Sequence, residues 1–174
     1  VGDFSATGQL KRNMFDGWTE GCLFQVYSGG NNRLFATDFT SKDIKDIDVR
    51  VALKLIQSFD PEIIFYRPVP DNMELHSLAM KIICELELPL VSWIMDDWPS
   101  LLPDDDTQTK HLLTSDLQSI FDNSKVRFSI SESMSEAYLQ RYRQSFVSIA
   151  NGIDVDSWSQ VPINKTRGET IVRY

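Results

Sequence analysis

The chain has 174 residues and 42% of them are hydrophobic, which is room for one ordinary domain and a little more, and too apolar for a disordered chain. Its formal net charge of −8 argues against nucleic-acid binding, which needs a basic face to neutralise phosphates. No apolar run approaches the ~18 residues of a membrane span and no signal peptide is visible, so a cytoplasmic location is expected, with peripheral contact to a membrane left open to a local basic patch.

In chain order, "VGDFS" reads as the remnant of a first strand, and Leu10, Met14 and Trp18 line one face of a first helix. "CLFQVY" is a short β-rich run. Ile44, Ile47, Val51, Leu55 and Phe59 recur at helical spacing, which predicts an amphipathic helix from Asp43 to Phe59. "PEIIFYRP" is a strand bounded by prolines. Asp71 with Glu74 fits a capping box, and Leu75, Leu78, Ile82 and Leu86 form the apolar face of the helix that follows. "LPLVSWIM" lacks polar alternation, as expected of a strand covered on both faces. Leu113, Leu117 and Ile120 mark another helix, and "VRFSIS" another strand. Ser133 with Glu136 fits a second capping box, ahead of Met134, Tyr138 and Tyr142 at helical spacing. "FVSIANG" closes the series. Cys22 and Cys84 lie in apolar segments and read as buried thiols in a reducing compartment.

Strands alternating with helices at these lengths imply an α/β fold with a doubly wound, Rossmann-like parallel sheet and helices on both faces. Residues 1–154 form this domain. The polar stretch 155–169 lacks periodicity and reads as a linker, and 170–174 reads as the first strand of a second domain. The chain opens on Val1 and ends inside "ETIVRY", so it is expected to be a piece of a longer protein.

Ligands of open α/β sheets bind at the carboxyl ends of the strands. Thr7-Gly8, Ser28-Gly29-Gly30, Arg67-Pro68, Asp96-Asp97-Trp98, Ser131-Glu132 and Asn151-Gly152 should therefore share one rim. Hydroxyls, amides, carboxylates and an aromatic suit a polyhydroxylated ligand such as a sugar; the plain alternative is that loops are polar everywhere. A glycine fingerprint, a Walker loop and a nucleophile elbow are all missing from the sequence. His76 and His111 lie in predicted helices without a ligand-spaced partner, so no metal site is expected. Asp104-Asp105-Asp106 reads as a solvated loop. Asp96 and Asp97 are consecutive, and consecutive residues of an extended chain point to opposite sides. One should line the crevice while the other caps a turn or the following helix. A metal shared between them would need different spacing.

"SESMSEAYLQRY" followed by "VSIANGIDVDSW" resembles the end of the N-terminal domain of GT-B glycosyltransferases of the large retaining group. "PEIIFYRPVPDNMELHSLAMKIICELELPLVSWIMDDWPS" is similar to the preceding core of that domain, and "SATGQLKRNMFDGW" stands in the place of its glycine-containing first loop. The resemblance covers nearly the whole chain, and its most specific part is the turn Asn151 to Asp154. It implies two Rossmann-like domains facing a cleft. The N-terminal one receives a saccharide or glycoconjugate acceptor. The other, beginning near Thr170, binds a nucleotide-diphosphate sugar as co-substrate, with no further cofactor. Many relatives carry a histidine where this chain has Met95-Asp96-Asp97.

The expected activity is therefore sugar transfer by the full-length protein, with this chain as its acceptor-side domain and inactive alone. Asp96 and Asp97 are the candidate catalytic residues, and Thr7, Gly8, Trp98, Ser131 and Glu132 the candidate substrate contacts. The rival is a non-catalytic flavodoxin-like or receiver-like binding module. A receiver places its acidic pair after the first strand, whereas here the pair follows the fourth.

Overall fold

The computed structural model describes residues 14–15, 17–18, 21–28, 34–38, 45–68, 73–102 and 107–150. Within these the chain is α/β, with two sheets. Strands β1 (Phe24–Ser28), β2 (Leu34–Asp38) and β3 (Lys45–Ile47) form an antiparallel sheet in that order. Strands β4 (Ile64–Tyr66), β5 (Leu90–Ile94), β6 (Ser124–Ser129) and β7 (Val147–Ser148) form a parallel sheet, also in sequence order. Helices α1 (Val49–Phe59), α2 (Met73–Leu86), α3 (Trp98–Leu101), α4 (Thr107–Asn123) and α5 (Glu132–Tyr142) complete the set.

The missing alternation in β5 has the expected cause. Leu90 and Ile94 enter the main apolar cluster with Ile83 of α2, Ile120 and Phe121 of α4, and Tyr138 and Tyr142 of α5. Each such fully buried aliphatic side chain contributes roughly 1.5–3 kcal/mol. Trp93 points to the reverse face, where its ring lies 6.1 Å from that of Phe65, which in turn meets Phe15 edge-on at 5.7 Å. A second cluster joins Ala52 and Ile56 of α1 to Leu34 of β2 and to Leu78 and Ile82 of α2. Right-handed crossovers between neighbours taken in sequence order place α2, α4 and α5 on one face. The reversal of strand order that a doubly wound sheet requires does not occur among the described strands. No helix among the described residues is long and apolar enough to cross a membrane.

Several expectations need correction. The run "CLFQVY" gives β1, but β1 pairs antiparallel with β2 and stands outside the parallel sheet. The helix expected from Asp43 starts at Val49. Residues Lys45–Ile47 pair with β2 instead, and Asp48 caps α1 by accepting the Val51 N–H at 2.8 Å. The buried stripe of α1 runs through Ala52 and Ile56, while Val51 is exposed, because the count that fixed the phase included Ile47 of the preceding strand. Helix α5 is capped by Ser131, whose Oγ accepts the Met134 N–H at 3.1 Å; Ser133 is already inside the helix. Cys22 and Cys84 are free and exposed rather than buried. Cys84 sits on the side of α2 opposite the rows that carry Leu78, Ala79, Ile82 and Ile83 to the cores. Leu10, Asp71, the Asp104–Asp106 loop and everything from Asn151 on, including the proposed linker and second domain, lie outside the described residues.

Candidate functional site

The carboxyl ends of adjacent strands bring Arg67, after β4, beside Asp96, after β5. Nη2 of Arg67 donates to Oδ2 of Asp96 at 3.3 Å. The Asp96 side chain is 46% exposed and that of Arg67 only 13%. The carboxylate therefore presents an open edge to solvent at the place where ligands of parallel sheets sit.

Asp97 faces a different set of groups. Its Oδ1 accepts from Arg141 Nη1 at 2.6 Å and from the Tyr138 hydroxyl at 3.1 Å. Its Oδ2 accepts from Arg141 Nη2 at 3.1 Å and from Ser100 Oγ at 2.6 Å. A carboxylate has about four lone-pair sites, so these donors fill it. Burial pushes the Asp97 carboxyl up, but the bonds from Arg141, Ser100 and Tyr138 and the Arg141 charge outweigh it and hold the group below the ordinary aspartate value. The Arg141 guanidinium also lies over the rings of Tyr138 and Tyr142, at 5.3 and 5.9 Å from their centroids. Asp97 is thus committed to tying the end of β5 and the start of α3 to the far end of α5.

The remaining rim candidates divide in the same way. Trp98 opens α3 half-buried, followed by Pro99 in the first turn. The Ser131 hydroxyl is occupied as the cap of α5, and its carbonyl accepts from Ser129 Oγ at 2.9 Å. Glu132 is exposed in the first turn of α5, where a carboxylate complements the helix dipole. Thr7 and Gly8 lie outside the described residues.

Three connections escaped the reading of the sequence, although Arg67 itself was placed on the rim. Arg67 was visible between strand and proline, but nothing local said that Asp96 would meet it. Arg141 lay between two tyrosines at helical spacing and was not singled out. The third is a buried chain from the Tyr66 hydroxyl to His76 Nδ1, at 2.9 Å, and from His76 Nε2 to Asp116 Oδ2, at 3.0 Å. Both ring nitrogens of His76 are thus engaged, one by a hydroxyl and the other by a carboxylate. This chain fastens β4, α2 and α4 together below the rim. Beside the Asp97–Arg141 pair, a shallow depression of about 400 Å³ is lined by Pro99, Ser100, His111, Thr114 and Arg141. Among the described residues no group of three or more His, Cys, Asp or Glu side chains is placed to hold a metal ion.

Set against protein-family models, curated proteins and solved structures, the chain matches none of them.

Proposed function

We propose that this chain is the acceptor-side domain of a glycosyltransferase that moves a sugar from a nucleotide-diphosphate sugar to a saccharide or glycoconjugate. On this reading it is one half of a doubly wound GT-B architecture. The nucleotide sugar is held mainly by a second domain beyond the linker, and the enzyme works in the cytoplasm, with peripheral membrane contact where its acceptor is lipid-borne.

The observation that carries the proposal is the division of labour between Asp96 and Asp97. Two consecutive carboxylates close a buried parallel strand. One is filled by four donors from its own fold, and the other stands half-exposed beside an arginine on the ligand-binding edge. A half-exposed carboxylate there suits hydroxyl recognition, or charge stabilisation at a sugar ring that becomes cationic as its bond breaks. Trp98, next along the chain, offers an aromatic face to a pyranose. The resemblance of the flanking segments to the GT-B acceptor domain adds the reaction class.

The test is sugar transfer by the full-length protein, assayed by release of nucleoside diphosphate. Asp96→Asn should lower kcat by about 10²-fold, the scale of one charged contact removed from a transition state, with little change in stability. Asp97→Asn should chiefly lower stability. Full turnover in Asp96→Asn, or no transfer by the wild type from any nucleotide sugar to any saccharide, defeats the proposal.

A further inference from the structure

The two arginines near the rim are satisfied in inverse order to their burial. Arg141, with 35% of its side chain exposed, makes two bonds to one carboxylate at 2.6 and 3.1 Å. Arg67 is far more buried, at 13%, yet its ion pair is a single contact of 3.3 Å, beyond the ordinary hydrogen-bond range. Its Nε is buried and has no acceptor among the described residues. A guanidinium has five donors and stays charged at every working pH. Withdrawn from water, it needs acceptors, and the partner it has, Asp96, is itself nearly half in solvent.

We propose that Arg67 is an anchor for an oxyanion, a carboxylate or phosphate, carried by the ligand that binds this rim. An oxyanion offers two oxygens to the planar fork, which a carboxylate held at one long contact does not. Asp96, displaced by such a ligand, stays at hand to accept from its hydroxyls. A neutral sugar would supply hydroxyl oxygens but leave the buried charge uncompensated. The inference deepens the glycosyltransferase reading and rests on it only for the saccharide part of the ligand. The oxyanion could belong to an acidic acceptor or to the diphosphate of the donor, and the two sources call for different probes.

The test is ligand-observed NMR titration of the full-length protein with methyl glucoside, methyl glucuronide and pyrophosphate. At least one oxyanion probe should weaken about tenfold or more in Arg67→Met, the scale of a lost charged hydrogen bond, while methyl glucoside is unchanged. Loss confined to methyl glucuronide assigns the oxyanion to the acceptor, and loss confined to pyrophosphate assigns it to the donor. Asp96→Asn, which removes the competing carboxylate, should tighten the probe that depends on Arg67. Should Arg67→Met fail to fold, Arg67→Lys keeps the charge without the fork and should still weaken that probe. Oxyanion affinities that do not change in either arginine variant overturn the proposal, as does an Asp96→Asn loss equal to that of Arg67→Met. Failure of the sugar-transfer reading looks different: methyl glucoside does not bind, while the pyrophosphate dependence on Arg67 persists.

Discussion

The guanidinium of Arg141 grips the carboxylate of Asp97 through both of its oxygens, across 44 residues of chain. The Tyr138 hydroxyl joins the same carboxylate from one turn earlier in α5. Geometry of this kind holds α5 against the end of β5 more firmly than a single surface ion pair would.

Asp97→Asn should cost about 1–2 kcal/mol in urea unfolding, a figure kept low because both partners are about a third exposed and water screens them. The carboxyl titrates below its ordinary value in the folded state. Its contribution is therefore present above the unfolded value of about 3.9 and is lost as pH falls through the folded one. The stability gap between wild type and variant should be flat from pH 7 to about 5 and narrow below about 4. A gap undiminished at the acid limit of folding would count against this role.

Tyrosine ionisation offers a check from the alkaline side. Burial, and then the Asp97 charge, push the Tyr138 hydroxyl far above its usual value. Burial raises Tyr142 as well, opposed by Arg141. Stability carried by these neutral phenols is complete below the unfolded value of about 10 and drains away as pH rises toward the folded values. Ultraviolet titration should show two tyrosines that ionise only as the fold is lost. Smooth titration of all five tyrosines in the intact protein would contradict the packing described.

His76 is 2% exposed and bonded at both ring nitrogens. His76→Leu should cost roughly 2–4 kcal/mol, since it strips a partner from each of two polar groups. Asp116→Asn, half-buried and still able to accept, should cost about 1 kcal/mol or less. Equal small effects from the two substitutions in urea unfolding would mean that the chain through His76 does not stabilise the fold.

Both cysteines should react with an aromatic disulfide reagent in the native protein, without denaturant, because both are exposed. A thiol that reacts only after unfolding would refute its exposure.

How much of this could be read in advance differs from element to element. The apolar rows of α2 and α4 and the doubly covered β5 were legible, because a long period or an unbroken apolar run records which faces are buried. The N-terminal sheet was not. A five-residue strand such as β1 carries no record of its partner, and Ile47 stands at helical spacing from Val51 although it pairs with Leu34. At the rim, the chain geometry of consecutive residues foretold that Asp96 and Asp97 would part company. Which of them faced outward depended on Arg141 and Tyr138, more than forty positions away, and no local pattern encodes such a meeting. Arg67 was placed on the rim, but its burial stayed hidden for the same reason: it is a property of the packed sheet, not of its neighbours in sequence.

Ile64 packs against both apolar clusters, and it begins a strand only three residues long. Among the described residues the joint between the antiparallel sheet with α1 and the parallel sheet with α4 and α5 is correspondingly narrow, and it is helped by α2, which sends residues to both sides. Local opening should follow that seam. Backbone amides of β1, β2 and β3 should trade protons for deuterons through partial unfolding that leaves β5 and β6 closed, whereas β5 and β6 should exchange only when the whole molecule opens. The carboxyl edge of the parallel sheet belongs to the slow-exchanging unit, so the rim around Asp96 should stay assembled while the opposite end of the chain breathes.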